Sequence, residues 1–221
     1  ATISHYQASS ELRAFIGIVA VFSMVTTGFL WYTGTFGSFS ESLRHGTFQV
    51  VSNITTTGFI SGGFAQWPGM LPILLIMISF IGGCSGSTAG GMKVARVQLV
   101  MQQGLRELKQ LVHPKGQFLV TMGGKRVSES VVISVGGFCA LYITVYLVLL
   151  LLLSSDGVDI ETAFSSVAAC LNNLGPALCM NAGHFISFSD YSTWLMSFAM
   201  LVGRLEIFTI LVLFTPAFWQ E

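Results

Sequence analysis

The chain has 221 residues, of which 52% are hydrophobic and only 9% charged, and its mean hydropathy is +0.73. A soluble domain carries roughly 25% charged residues, so this composition excludes an ordinary aqueous globular protein and points to a membrane protein. Ten basic residues balance ten acidic ones; nothing in that sum suggests a nucleic-acid partner, and the placement of the charges carries the topology.

Residues 14 to 32 contain no Asp, Glu, Lys or Arg, and neither do 67 to 92 or 130 to 155. Each run approaches or exceeds the roughly 20 residues that span a bilayer. A fourth run, 191 to 220, is equally apolar except for Arg204 and Glu206. Four spans are therefore expected, the first being too long for a signal peptide and lacking a small-residue cleavage site. Seven of the ten basic residues (Lys93, Arg96, Arg106, Lys109, Lys115, Lys125 and Arg126) fall between 93 and 126. Positive loops stay in the cytoplasm, which puts both chain ends inside and Asp156, Asp159, Glu161 and Asp190 outside.

The outer connection after the first span divides into a short helix, 40 to 53, with Ser38 or Ser40 as N-cap, and the polar stretch "ITTTGF". The same order recurs after the third span, where "DIETAFSSVAAC" (159–170) precedes "LNNLGPAL" (171–178). Laying Gly58 on Gly175, an offset of 117 residues, puts Val50 on Val167, Ile54 on Leu171, Thr55 on Asn172 and Thr56 on Asn173. The chain reads as an all-α membrane protein of two tandem, parallel units, each a span, a re-entrant short helix, a filter loop and a span. The units are residues 1–126, including the basic loop 93–126, and residues 127–221.

Non-helical backbone at membrane depth is tolerated only where it is buried in protein or lines a watery cavity. A short helix followed by an extended Gly-bearing segment is how ion filters are built, with carbonyl oxygens replacing the hydration shell of the ion. The candidate filter residues are Ile54, Thr55, Thr56, Thr57 and Gly58, and Leu171, Asn172, Asn173, Leu174 and Gly175. Threonine hydroxyls and asparagine amides would add oxygen without charge, and glycine permits the backbone angles that a Cβ makes costly. Each short helix would aim its partially negative C-terminal end at a cation.

"GGCSGSTAGG" (82–91) has three readings. It lacks the spacing and the preceding strand of a phosphate-binding loop. It could pack helices closely through small residues, or form an unwound loop beneath the filter, and five glycines in ten residues argue against a plain helix. Arg204, at membrane depth, should face protein or water; it either lines the pore or pairs with Glu206 or another carboxylate. Cys84, Cys139, Cys170 and Cys179 show no zinc-like spacing, and His5, His45, His113 and His184 are scattered at segment ends. No nucleophile and base pattern of an enzyme stands out.

The paired units, "TTTGF", "LNNLGP", the "GGCSGSTAGGMK" break in the second span and "LVGRLEIFTIL" in the last resemble, along essentially the whole chain, the Trk/Ktr/HKT superfamily of potassium transporters. That family places four such units in one chain, so this sequence corresponds to its C-terminal half, units three and four. The resemblance implies a bacterial, multi-pass protein of the cell inner membrane that takes up K+ through a carbonyl-lined filter. It implies a gate made of Gly82, Gly83, Ser85, Gly86, Ser87, Gly90, Gly91 and Arg204. It also implies homodimers in membrane lipid, the missing N-terminal units or a second chain to complete the pore, and a cytosolic nucleotide-binding regulatory ring of the TrkA kind. The competing readings are an auxiliary, non-conducting subunit with a degenerate pore, which the Thr-poor second filter favours, and an intramembrane enzyme.

Overall fold

The computed structural model describes residues 9–178, 188–205, 207–213 and 218–219; His5, Cys179, His184 and Glu206 lie outside them. Helix α1, Ser10–Tyr32, is capped by the Ser9 hydroxyl. Helix α2, Phe39–Ile54, starts at Ser38, whose hydroxyl accepts the Glu41 N–H at 3.2 Å, and Glu41 in the first turn complements the helix dipole. The two helices meet closely at Gly46. A Cβ there would lie 3.1 Å from Thr27 Oγ1 and 3.3 Å from Thr27 N, a small-residue contact of the kind membrane helices use.

A single helix over 67 to 92 is not what forms. After a 3-10 turn, Phe64–Gln66, helix α3 covers only Leu71–Ser79, with Pro72 in its first turn, where the missing N–H is not needed. Residues 80 to 93 are not helical. Gly82, Gly86, Gly91 and Lys93 all have positive φ, which an α-helix cannot contain. The basic stretch 93 to 126 is likewise more than a loop. It folds into helix α4, Val94–Val112, and a hairpin of β1, Thr121–Met122, against β2, Lys125–Arg126. Met101, Leu105, Leu108 and Val112 form an exposed apolar stripe on α4, at the spacing of one helix face.

Helix α5, Glu129–Ser155, is followed by α6, Ile160–Leu171. Asp159 caps α6 by accepting the Thr162 N–H at 2.9 Å, and that backbone bond holds its carboxyl below the usual range. Asp156 accepts hydroxyl hydrogen bonds from Ser189 and, at 2.6 Å, from Ser192. It thereby ties the end of α5 to the start of α7, Asp190–Arg204. The fourth apolar run is also interrupted: α7 stops at Arg204, and α8 covers Ile207–Leu213. The interruption falls where the Arg204 guanidinium reaches out to the carbonyl of Thr88, as a cation at membrane depth requires oxygen partners. Among the described residues, α1 and α5 are the helices long and apolar enough to cross a membrane unbroken.

One cluster of buried side chains joins both halves of the chain, with Val50 and Ile54 of α2 and Val167 and Leu171 of α6 near its centre. The short helices also bury Ser42, Gln49, Ser52, Asn53, Ser165 and Ser166, while Met24, Ile133, Leu151 and Trp194 face outward. Polar groups inside and apolar groups outside suit a protein surrounded by lipid. Replacing Gly46 with Ile should force α1 and α2 apart and lower the melting temperature of the detergent-purified full-length protein by several degrees. Gly17→Ala is the control, because nothing lies within 4 Å of a Cβ at Gly17; equal losses from both would refute the contact.

Candidate functional site

The two candidate filter segments leave their helices through the same hydrogen bonds. The N–H groups of Thr55, Thr56 and Thr57 donate to the carbonyls of Val51, Asn53 and Ser52. Those of Asn172, Asn173 and Leu174 donate to Ala168, Cys170 and Ala169, each partner displaced by the same offset as the sequence match. Thr56 and Asn173 both adopt left-handed backbone, at φ 51° and 53°, and so do Gly58 and Gly175, at 81° and 100°. Left-handed φ costs roughly 1–2 kcal/mol for a residue with a side chain. A Thr and an Asn held there therefore need firm support from their surroundings.

That support comes from buried side chains. Gln49 Nε2 donates to Asn53 Oδ1 at 2.8 Å, and Asn53 Nδ2 donates to the Leu75 carbonyl at 2.9 Å. Beyond Gly58, the Ser52 hydroxyl donates to the Phe59 carbonyl at 2.7 Å, and Ser61 N–H donates to Gln49 Oε1 at 3.1 Å. His45 Nδ1 shares a 2.6 Å hydrogen bond with the Ser61 hydroxyl. On the other segment, fully buried Asn172 donates to Ser79 Oγ at 2.7 Å and accepts from the Tyr142 hydroxyl. One amide thus binds the end of α3 to the middle of α5.

These bonds change the role expected of the polar side chains. Asn172 braces the fold, Asn173 Nδ2 donates to the Met200 carbonyl at 3.3 Å, and Thr55 and Thr57 share a hydrogen bond. With both its amide atoms engaged, Asn172 has no side-chain oxygen to offer to an ion. The glycines differ as well. A Cβ on Gly58 would overlap the Leu174 carbonyl oxygen and sit 3.2 Å from Pro176 Cδ, whereas Gly175 faces open space. Gly58 is required by both angle and contact, and Gly175 by angle alone.

Residues 82 to 91 lie against this site and are tied down from several directions. Arg204 Nη1 donates to the Thr88 carbonyl at 2.8 Å, and Lys93 Nζ to the Ser87 carbonyl at 2.9 Å and to that of Ala89. Ser85 N–H donates to Glu11 Oε1 at 2.5 Å, and Gly90 N–H to Thr56 Oγ1 at 2.8 Å. Residues 86 to 91 with Lys93, Gly203 and Arg204 surround a cavity of about 310 Å³. Gly203 lets α7 approach the end of α6, since a Cβ there would overlap the Leu171 carbonyl. Sequence reasoning brought Arg204 and the glycines together but missed Glu11, Lys93 and the Thr56 contact. The charges of Glu11 and Lys93, flanking apolar runs, were the available signal.

A family model described as TrkH, cation transport protein, matches residues 12–221. The Trk system potassium uptake protein TrkH of Salmonella typhimurium is 44% identical over 216 residues, covering 98% of this chain and 45% of that protein. TrkG of Escherichia coli, also named a Trk system potassium uptake protein, is 37% identical, covering 96% and 43%. The crystal structure of the potassium transporter TrkH from Vibrio parahaemolyticus superposes with a TM-score of 0.92 at 46% identity, covering 97% of this chain and 46% of that one. The chain spans a little under half the length of these relatives.

Asn172→Ala removes a buried amide and leaves Tyr142 and Ser79 short of a partner. It should destabilise the full-length protein by about 1–3 kcal/mol, more than Tyr142→Phe, which removes one bond. Thermal unfolding in detergent checks the order; a larger loss in Tyr142→Phe would contradict the bridge.

Proposed function

The chain belongs to the TrkH family of cation transport proteins, and on that footing we propose that it supplies two of the filter-bearing units of a potassium uptake protein. Residues 1–126 and 127–221 are the two units, related as tandem, parallel copies. The observation that carries this reading is the backbone pattern of residues 55–58, repeated with its hydrogen bonds and left-handed angles at 172–175. Helices α2 and α6 end immediately before these segments, so their partially negative C-termini favour a cation there. Carbonyl oxygens of Ile54 to Gly58 and Leu171 to Gly175 take the place of the water lost by K+. Further filter-bearing segments, from the part of the relatives that this chain does not cover, close the ring.

Residues 82–91 act as the gate in this reading. A segment held by side-chain hydrogen bonds rather than by helical ones can be released by breaking them, and Arg204 holds it shut through Thr88 while placing a positive charge beside the cation path. The protein works in the bacterial inner membrane as a homodimer. Helix α4 and the β-hairpin, with their Lys and Arg side chains, offer the cytosolic surface to a nucleotide-binding regulatory ring.

Gly58→Asp or Gly175→Asp in the full-length protein should abolish potassium-dependent growth of an uptake-deficient strain, and normal growth would refute the filter. Gly58→Ala should impair uptake more than Gly175→Ala, because only the first collides with the neighbouring segment. Arg204→Ala should raise tracer K+ flux into liposomes. Unchanged flux would remove Arg204 from the gate.

A further inference from the structure

Gly90 is the point at which residues 82–91 touch both candidate filter segments. Its N–H donates to the Thr56 hydroxyl, and its Cα lies so near the Asn172 carbonyl that a Cβ would overlap the oxygen. Gly90 is buried, so its N–H has little access to water, and losing the acceptor would be costly. Further side-chain anchors of this segment are the charged groups of Glu11, Lys93 and Arg204, beside the backbone bond from Val94 N–H to the Gly83 carbonyl. Thr56 differs from them in two ways. It is neutral, and it belongs to the candidate filter segment itself, at a left-handed residue one step from the backbone turn of that segment.

We infer that Thr56 is a positioning residue that latches the loop to the filter, so that opening the loop and discriminating between ions are coupled through the Thr56–Gly90 hydrogen bond. When the loop withdraws, Gly90 takes its N–H from Thr56 and its Cα from the Asn172 carbonyl together. Both segments then lose a support on one side, and the spacing of their carbonyls relaxes. Arg204 reaches the loop at Thr88, two residues from Gly90. The inference rests on the reading of 54–58 and 171–175 as filter and of 82–91 as gate.

The test uses the full-length transporter with Thr56→Val, which keeps the shape but not the acceptor, Thr56→Ser, which keeps the hydroxyl, and Arg204→Ala. Thr56→Val should raise K+ flux into liposomes about fivefold, the population shift expected from one ordinary neutral hydrogen bond, and lower the potassium-to-sodium ratio. Hydrogen exchange at the amides of 82–93 should quicken by a similar factor, and Thr56→Ser should recover the slow exchange and the ion ratio. The exchange arm does not require a conducting protein, so it decides the matter even if Thr56→Val fails to transport. Wild-type exchange in Thr56→Val overturns the latch; so does a raised flux at an unaltered ion ratio. If Arg204→Ala raises flux while Thr56→Val changes neither flux nor exchange, the latch falls and the gate stands. If neither variant changes flux or exchange, the gate falls and the latch with it.

Discussion

Backbone that leaves the helix at membrane depth must find its hydrogen-bond partners within the protein, because lipid offers none. Among the described residues, 55–61, 172–178 and 80–93 are in that position. Their partners explain much of what is otherwise odd in the composition of the core. The buried Ser52 and Gln49 serve the first segment at the Phe59 carbonyl and the Ser61 N–H, and Ser165 serves the second, accepting the Leu178 N–H at 3.0 Å. Each is an amide or hydroxyl where a soluble core would hold Leu or Val. Unmet, such buried groups cost about 1–3 kcal/mol apiece, so the short helices and the loops they support are tied to one another.

The third segment is held differently. Besides neutral bonds, its carbonyls and N–H groups meet charged side chains at Lys93, Arg204 and Glu11, whereas the side chains that brace 55–61 and 172–178 are neutral. The distinction is physical. Charged side chains give stronger hydrogen bonds than neutral ones, but they also answer to changes in nearby charge, which neutral braces do not. Thr56 is where the two kinds of support adjoin.

Glycine has several separate tasks here. At Gly58 it supplies both a left-handed angle and room for the Leu174 carbonyl, at Gly90 and Gly203 only room for the carbonyls of Asn172 and Leu171, and at Gly175 only the angle. Composition counts all of these alike. Their consequences differ, because a forbidden angle strains one residue whereas a forbidden contact displaces a neighbour.

The sequence by itself determined the solvent, the two short helices and the equivalence of residues 54–58 with 171–175. Those features are local: hydropathy runs, caps at Ser38 and Asp159, and turn residues at a constant offset. Of three readings it favoured an unwound loop at 82–91, since five glycines in ten residues weaken a helix whatever surrounds them. Helix α4 was hidden because its apolar stripe is interleaved with the positive charges of 93–126, and the end of α7 at Arg204 lies inside a run that is otherwise apolar but for Glu206. Only the tertiary structure decided what the polar side chains do. Asn172 reaches Ser79, 93 positions away, Arg204 reaches Thr88, 116 away, and Glu11 reaches Ser85, 74 away. Contacts of that separation depend on how the helices pack, and a pattern of residue types along the chain does not encode which distant carbonyl an amide or guanidinium will meet.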